Sequence, residues 1–273
     1  MVRHALIAAV CLVLAQPGAA VSQSRAETLI VAGTQTPRHF NSAVQSGVAT
    51  MMPGAQIFAS PLRYDEKWRP QPYLAESWSF QDDGRSLLLK LVPNAVFHDG
   101  KPVTSEDVAF SVMTAKAFHP FQSMFGPVER VDTPDPRVAI IRMKQPHPAI
   151  LLAMSPPFLP ILPKHVYGDG QDLRNHPRNL TPVGSGPYRL VEYKPGEHIV
   201  HERFDRFFIP GRPKFAKLIF RIFKDPSAIT IGLERKDIDM FPFVSDVAEL
   251  QHLQKVPHLN VERRGGEAIG PLG

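Results

Sequence analysis

The sequence predicts an α/β fold with mixed sheets, and three observations carry that reading. Runs rich in β-branched and aliphatic residues recur at 28–33, 86–92, 138–143, 187–193, 198–203 and 217–223. Helix signals are fewer, and they do not alternate with the strands in the regular beat of a doubly wound parallel sheet. Proline supplies 28 of the 273 residues, spread along the chain, which favours short elements and ordered turns over a helical bundle. With 43% hydrophobic and 21% charged residues, the chain has the balance of a globular protein of two domains or one large one.

Taken in order, the first 26 residues read as a secretory signal peptide. Arg3 and His4 form a short basic region. The apolar stretch at 5–15 (ALIAAVCLVLA) is too short to cross a bilayer core, which takes about 20 helical residues. Gly18 and Ala20 suit cleavage after Ala20, with Ser24 and Ala26 as the alternative. Cys11, the only cysteine, follows Val10 inside the apolar stretch, an unfavourable setting for lipidation. The mature chain therefore has no cysteine for disulfides, thiolate metal sites or nucleophilic catalysis, and a periplasmic location fits. No later run is apolar enough to span a membrane, so the mature part is expected to be soluble.

The run at 28–33 (TLIVAG) predicts a buried strand, and that at 86–92 ends at the turn signal Pro93-Asn94. His98-Asp99-Gly100-Lys101 carries the Asp-Gly pair of a tight hairpin. Thr104 is placed to cap a helix over 105–117, with Asp107 third in a capping-box arrangement and Val108, Ala109, Val112 and Ala115 on one face. Asp225-Pro226 opens a second helix to about Glu234. Ser245 is expected to cap a third over 246–255, with a stripe of Val247, Leu250 and Leu253. These stripes read as core-facing helix sides that need no cofactor.

The 31 Lys and Arg exceed 26 Asp and Glu by only five, without a run of four basic residues, which argues against nucleic acid as a partner. Gly184-Ser185-Gly186-Pro187 lacks the remaining glycine of a dinucleotide loop, and Gly100-Lys101 lacks the rest of a phosphate-binding loop. No G-x-S-x-G elbow occurs. His198 and His201 stand at i and i+3 in a predicted strand, which sends their rings to opposite faces. They read as polar positions of a surface strand, not as metal ligands. Asp82-Asp83 beside Gly84 reads as a solvated turn. No catalytic constellation, metal site or cofactor is expected.

Five segments in register then carry a resemblance: 73–80 (YLAESWSF), 82–84 (DDG) with 87–91, 97–110 (FHDGKPVTSEDVAF), 161–166 (ILPKHV) and 184–197 (GSGPYRLVEYKPGE). Together they resemble the family 5 extracellular solute-binding proteins of ABC transporters, the peptide, oligopeptide and nickel class, over about 27–270. The resemblance implies a type II (cluster C) periplasmic-binding-protein-like fold. Lobe one would comprise 27–58 and 183–264, and 59–182 a second lobe inserted into it. Residues 265–273 would start a crossover to a third lobe that this sequence lacks. Gly184 and Gly186 would let the chain pass close to a neighbour, with Pro187 setting the start of the next strand. The stretch 235–239 (RKDID) departs from the pattern, which commonly has a glycine before the acidic–Ile–Asp step.

The implied function is that of a monomeric, periplasmic substrate-binding component of an importer, here a truncated form with impaired binding. Its partners would be a peptide or other small solute and ABC permease subunits in the inner membrane. Thr36, Arg38, His39 and Phe40, on the loop after the first strand, are the candidate ligand-facing residues. Arg38 could pair with a carboxylate and Phe40 could stack, although each could equally belong to an ordinary surface loop. Phe121, Phe125 and Phe158 are expected in the core of the second lobe. A non-functional fragment of a split gene and a secreted enzyme are the alternatives.

Overall fold

The computed structural model describes residues 25–244 and 246–262; the signal-peptide expectation at 1–24, Ser245 and the expected crossover at 265–273 lie outside the described residues. The chain runs β1 (Thr28–Gly33), α1 (Val48–Ile57), β2 (Leu62–Tyr64), β3 (Pro70–Pro72), β4 (Ala75–Gln81) and β5 (Ser86–Leu91). It continues with α2 (Ser105–Phe118), β6 (Val128–Asp135), β7 (Val138–Met143), α3 (Ile150–Ala153) and α4 (Lys164–Tyr167). Then follow β8 (Tyr188–Lys194), β9 (His198–Arg203), β10 (Lys217–Ile222), α5 (Pro226–Glu234) and α6 (Val247–Leu253).

These elements build two four-stranded sheets and a small β2–β3 ribbon. The first sheet, in the order β1-β10-β9-β8, is mixed: β1 runs parallel to β10, and the other pairs are antiparallel. The second, β4-β5-β7-β6, is antiparallel throughout. Strict alternation explains its centre. Leu87, Leu89 and Leu91 of β5 are fully buried while Lys90 is exposed, and the register sets Leu87 opposite Ile141 and Leu89 opposite Ala139. Val108, Val112 and Ala115 of α2 complete that core. The mixed sheet packs Val31, Ile199, Leu218 and Phe220 with Ile57 and Phe58, and Phe110 and Phe118 of α2 lean on this second core. Thus α2 serves both. A smaller cluster joins Ala32 to Ile229, Leu233, Ile238 and Leu253.

The starts of α2, α5 and α6 follow the side chains that cap them. The Asp107 carboxylate accepts the Thr104 N–H at 2.8 Å and its hydroxyl at 2.9 Å, the expected capping arrangement. It also accepts the Lys164 N–H at 2.8 Å, which ties α4 to α2. Asp225 accepts the Ser227 N–H at 2.9 Å, so α5 begins at Pro226 as predicted. The third helix is capped by Asp246, which accepts the Glu249 N–H at 2.8 Å. Its stripe is only partly inside, for Leu253 is buried while Val247 is exposed.

Other expectations are corrected. The 98–101 turn forms, with Gly100 at φ 89, but it closes on a single bridge between Val96 and Pro102. The bonds that flank that bridge run from the Phe97 N–H to the Lys101 carbonyl and from the Val103 N–H to the Ala95 carbonyl, and Pro93 withholds the donor a longer ladder would need. Helix α1 has no signal of its own: Gly47 stands at its cap without a capping side chain, and Pro53 and Gly54 lie inside it. It forms because tertiary packing buries seven of its residues, from Thr50 to Ile57. Strands β4 and β6 also lack an apolar alternation, since they are the outer strands of the antiparallel sheet. His201 is fully buried, so β9 is not the surface strand expected, although its two histidines do stand on opposite faces.

The glycine expectation holds. A Cβ on Gly184 would lie 2.0 Å from the Ile57 carbonyl oxygen, and one on Gly186 2.5 Å from that of Gln56. At the departure in 235–239, Lys236 itself adopts φ 64 after α5, and the Asp237 N–H returns to the Gly232 carbonyl at 2.8 Å. The turn survives with a lysine in the left-handed region. Among the described residues, no helix is long and apolar enough to cross a membrane.

Candidate functional site

Strands β1 and β10 are parallel and level, ending together at Gly33 and Ile222. In sheets with parallel strands, ligand crevices open beyond such carboxyl ends. The chain leaving β1 there divides sharply. Thr34, Gln35, Thr36 and Arg38 are exposed, whereas His39, Phe40, Asn41, Ser42 and Ala43 are buried. The division has a hydrogen-bonded cause. The Asn41 amide donates to Asn179 Oδ1 at 2.9 Å, its oxygen accepts the Ala43 N–H at 3.0 Å, and its own N–H donates to His39 Nδ1 at 3.2 Å. The Phe40 N–H donates to the Asn179 carbonyl at 3.0 Å. The loop is thus pinned at its middle and free before it.

The four candidate residues accordingly separate. Phe40 is fully buried, with its ring edge-on to Tyr193 at 5.0 Å, so it cannot stack on a solute in this structure. His39 faces inward too, and burial, aided by the Arg38 charge, lowers its pKa to about 4, leaving it neutral at pH 7. Both hold the loop from behind. Thr36 and Arg38 line an open groove of about 790 Å³, facing Leu180, Pro182, Val191 and Tyr193. The Tyr193 hydroxyl donates to the Pro37 carbonyl and fixes that edge. Arg38 donates to Asn175 Oδ1 at 3.3 Å, an uncharged partner that leaves its charge available to an anion.

A second accessible feature lies past the pinned segment. Ser42 Oγ donates to the Pro156 carbonyl at 3.5 Å, which ties the pinned segment to the turn before Phe158. There His119, Phe121 and Phe158 form a trio with centroids 5.8, 5.9 and 6.0 Å apart. Phe125 is core as expected, but Phe121 is 52% exposed. Pro120 follows the end of α2, and His119 Nδ1 accepts the Phe121 N–H at 2.9 Å, a turn that carries the phenyl ring outward. Sequence reasoning missed Asn41, Asn179, Tyr193 and this exposed ring. Asn41 and Asn179 meet across 138 residues, and no local signal announces such a pair.

Chemically the surface offers a guanidinium, hydroxyls, the Glu192 carboxylate and apolar walls. Among the described residues no group of three metal-ligating side chains comes together. Comparison with known proteins supplies the rest. The family described as bacterial extracellular solute-binding proteins, family 5 Middle, matches residues 69–270. The oligopeptide-binding protein AppA of Bacillus subtilis is 28% identical over 219 residues, 78% of this chain and 40% of AppA. AppA in complex with a nonapeptide superposes with a TM-score of 0.77 and 27% identity, covering 84% of this chain and 46% of that one. NikZ of Campylobacter jejuni in complex with Ni(L-His) gives 0.72 and 27%, with coverages of 84% and 45%. The chain spans 30% to 50% of the length of the curated relatives it matches. With the family matched over residues 69–270 and 84% of the chain superposed on these proteins, the chain belongs to the family 5 bacterial extracellular solute-binding proteins and has their type II periplasmic-binding-protein-like fold.

Proposed function

We propose that this protein is the substrate-binding component of an ABC-type importer, that it takes a peptide or similar small solute, and that Thr36 and Arg38 touch that solute. In this reading it is a periplasmic monomer and a receptor without catalysis, and it delivers its solute to permease subunits in the inner membrane. Residues 27–58 and 183–264 form one lobe and 59–182 the lobe packed on it. The single observation that carries the site is the exposed Thr36–Arg38 pair, set on a loop whose next residues are pinned by Asn41. The relatives seen with a nonapeptide and with nickel–histidine support a small solute bearing a carboxylate, which suits the Arg38 guanidinium.

Binding proteins of two closing lobes gain most of their affinity from contacts on both cleft walls. Here the groove beside Arg38 is open, so this chain by itself binds weakly. Titration calorimetry of the full chain with defined peptides of two to nine residues tests this. The expected result is affinity weaker than micromolar, reduced further in Arg38→Ala. Micromolar or tighter binding would refute impaired binding, and residual binding unchanged in Arg38→Ala would remove Arg38 from the site.

A further inference from the structure

The two sheets are joined at a histidine that the solute reading does not use. His98, in the turn after β5, meets the strip Gly184–Gly186 that leads into β8. The His98 N–H donates to the Gly184 carbonyl at 2.8 Å. Its ring Nδ1 accepts the Gly184 N–H at 3.3 Å, and its Nε2 lies 3.1 Å from the Gly186 carbonyl oxygen. A carbonyl can only accept and an N–H can only donate, so the geometry requires the neutral ring with its proton on Nε2. The Phe204 ring packs against His98 at 4.8 Å. On the other side of the strip, the Gly186 N–H donates to the Ile57 carbonyl at 2.8 Å, where no Cβ fits. The strip is clamped between His98 and the end of α1.

The surroundings offer little to hold a second proton. Next to His98 is His201 of β9, fully buried against Phe220, with neither ring nitrogen hydrogen-bonded to another described group. Arg189 of β8 repels a charged His98. Asp99 attracts it but is engaged by His165 at 2.6 Å. The Arg206 guanidinium lies beside Gly100 in the same turn, and α1 contributes no charged residue.

We propose that His98 is an acid-released latch between the antiparallel-sheet half and the mixed-sheet half of the molecule. Protonating Nδ1 removes the acceptor of the Gly184 N–H, sets two donors face to face, and places a cation beside buried His201. Burial first, and then Arg189, hold His98 down to about 4 against the backbone contact and Asp99. Because the folded value lies below the unfolded one near 6.5, this contribution is complete above 6.5 and is lost as pH falls toward 4. Between pH 7.5 and 5 one such group lowers the folding equilibrium constant about 30-fold.

Two measurements on the full chain test the latch. In ¹⁵N-imidazole spectra at pH 7.5, His98 should carry its proton on Nε2 and remain neutral down to pH 5. A proton on Nδ1, or titration of folded His98 between pH 6 and 7, would overturn the proposal, and this readout needs no variant. Denaturant unfolding of wild type and His98→Asn at pH 7.5 and 5 gives the second. Wild type should lose about 30-fold more of its equilibrium constant over that interval, and its Gly184 amide should lose exchange protection at pH 5. Equal losses in the two proteins, or a Gly184 amide indifferent to pH, would refute the latch.

Discussion

The two four-stranded sheets solve their packing in different ways. The antiparallel sheet is a local solution: Leu87, Leu89 and Leu91 face Ala139 and Ile141 in simple alternation, and α2 lays an apolar side on them. The mixed sheet is a long-range solution. Both halves bury polar groups, Ser86, Ser111 and Thr114 in one and His39, Asn41, Gln56 and His201 in the other, but the mixed-sheet half relies on backbone passing within contact of backbone at Gly184 and Gly186. The exposed Thr36 and Arg38 spring from the second kind of core. A loop leaving such a core can be held by specific hydrogen bonds rather than by apolar bulk, which leaves its front residues free to meet a solute.

If this contrast is right, the mixed-sheet half should be intolerant of a single methyl where the other segments are not. Gly184→Ala drives a Cβ to 2.0 Å from the Ile57 carbonyl and should cost more than about 3 kcal/mol, seen as a lost or strongly lowered unfolding midpoint. Gly84→Ala, at φ 84 in the turn between β4 and β5 of the antiparallel sheet with its new Cβ 3.4 Å from that of Pro146, should cost only about 1 kcal/mol from backbone strain. Similar costs at the two positions would erase the distinction between the regions.

The next effect sharpens the division within the loop itself. Phe40→Ala removes a fully buried ring and should destabilise the fold by about 3–5 kcal/mol in urea unfolding. Arg38→Ala, two residues earlier and exposed, should change stability by no more than about 0.5 kcal/mol. A large stability loss at Arg38 would make it a structural residue and withdraw it from the proposed solute-facing surface.

The smallest effect is a gain. Lys236 sits at φ 64, where glycine bears no steric cost. Lys236→Gly should therefore raise stability by about 0.5–1 kcal/mol, after the greater entropy of the unfolded glycine chain is subtracted. An unchanged or lower midpoint would mean that the lysine makes contacts worth as much as its strain.

Much of the fold was legible in the sequence where neighbours along the chain decide the outcome. β1, β5, β7, β9 and β10 follow from runs of apolar and β-branched residues, and α2 and α5 from Thr104 with Asp107 and from Asp225 with Pro226. α1 was not legible, because Pro53 and Gly54 speak against a helix and only burial beside Phe40 and Gly186 overrides them. In the candidate loop only the position was legible. Its place after the first strand pointed to Thr36, Arg38, His39 and Phe40 alike, and nothing in that stretch distinguishes Arg38, which is exposed, from Phe40, which meets Tyr193. Phe121 misled for the complementary reason: an aromatic residue reads as core unless a turn such as Pro120-Phe121 turns it outward.

Residue order alone therefore determined which elements form by period and by cap, the absence of any cysteine after Cys11, and the family to which the segments correspond. Tertiary structure alone decided which side of the β1 loop faces solvent, that His98 must be neutral, and that the carbonyls of Gln56 and Ile57 are what the glycines at 184 and 186 pass. The reason is one of range. Periodicity and capping act over three or four residues, whereas Asn41 with Asn179 and His98 with Gly184 are partners set by the packing of distant segments.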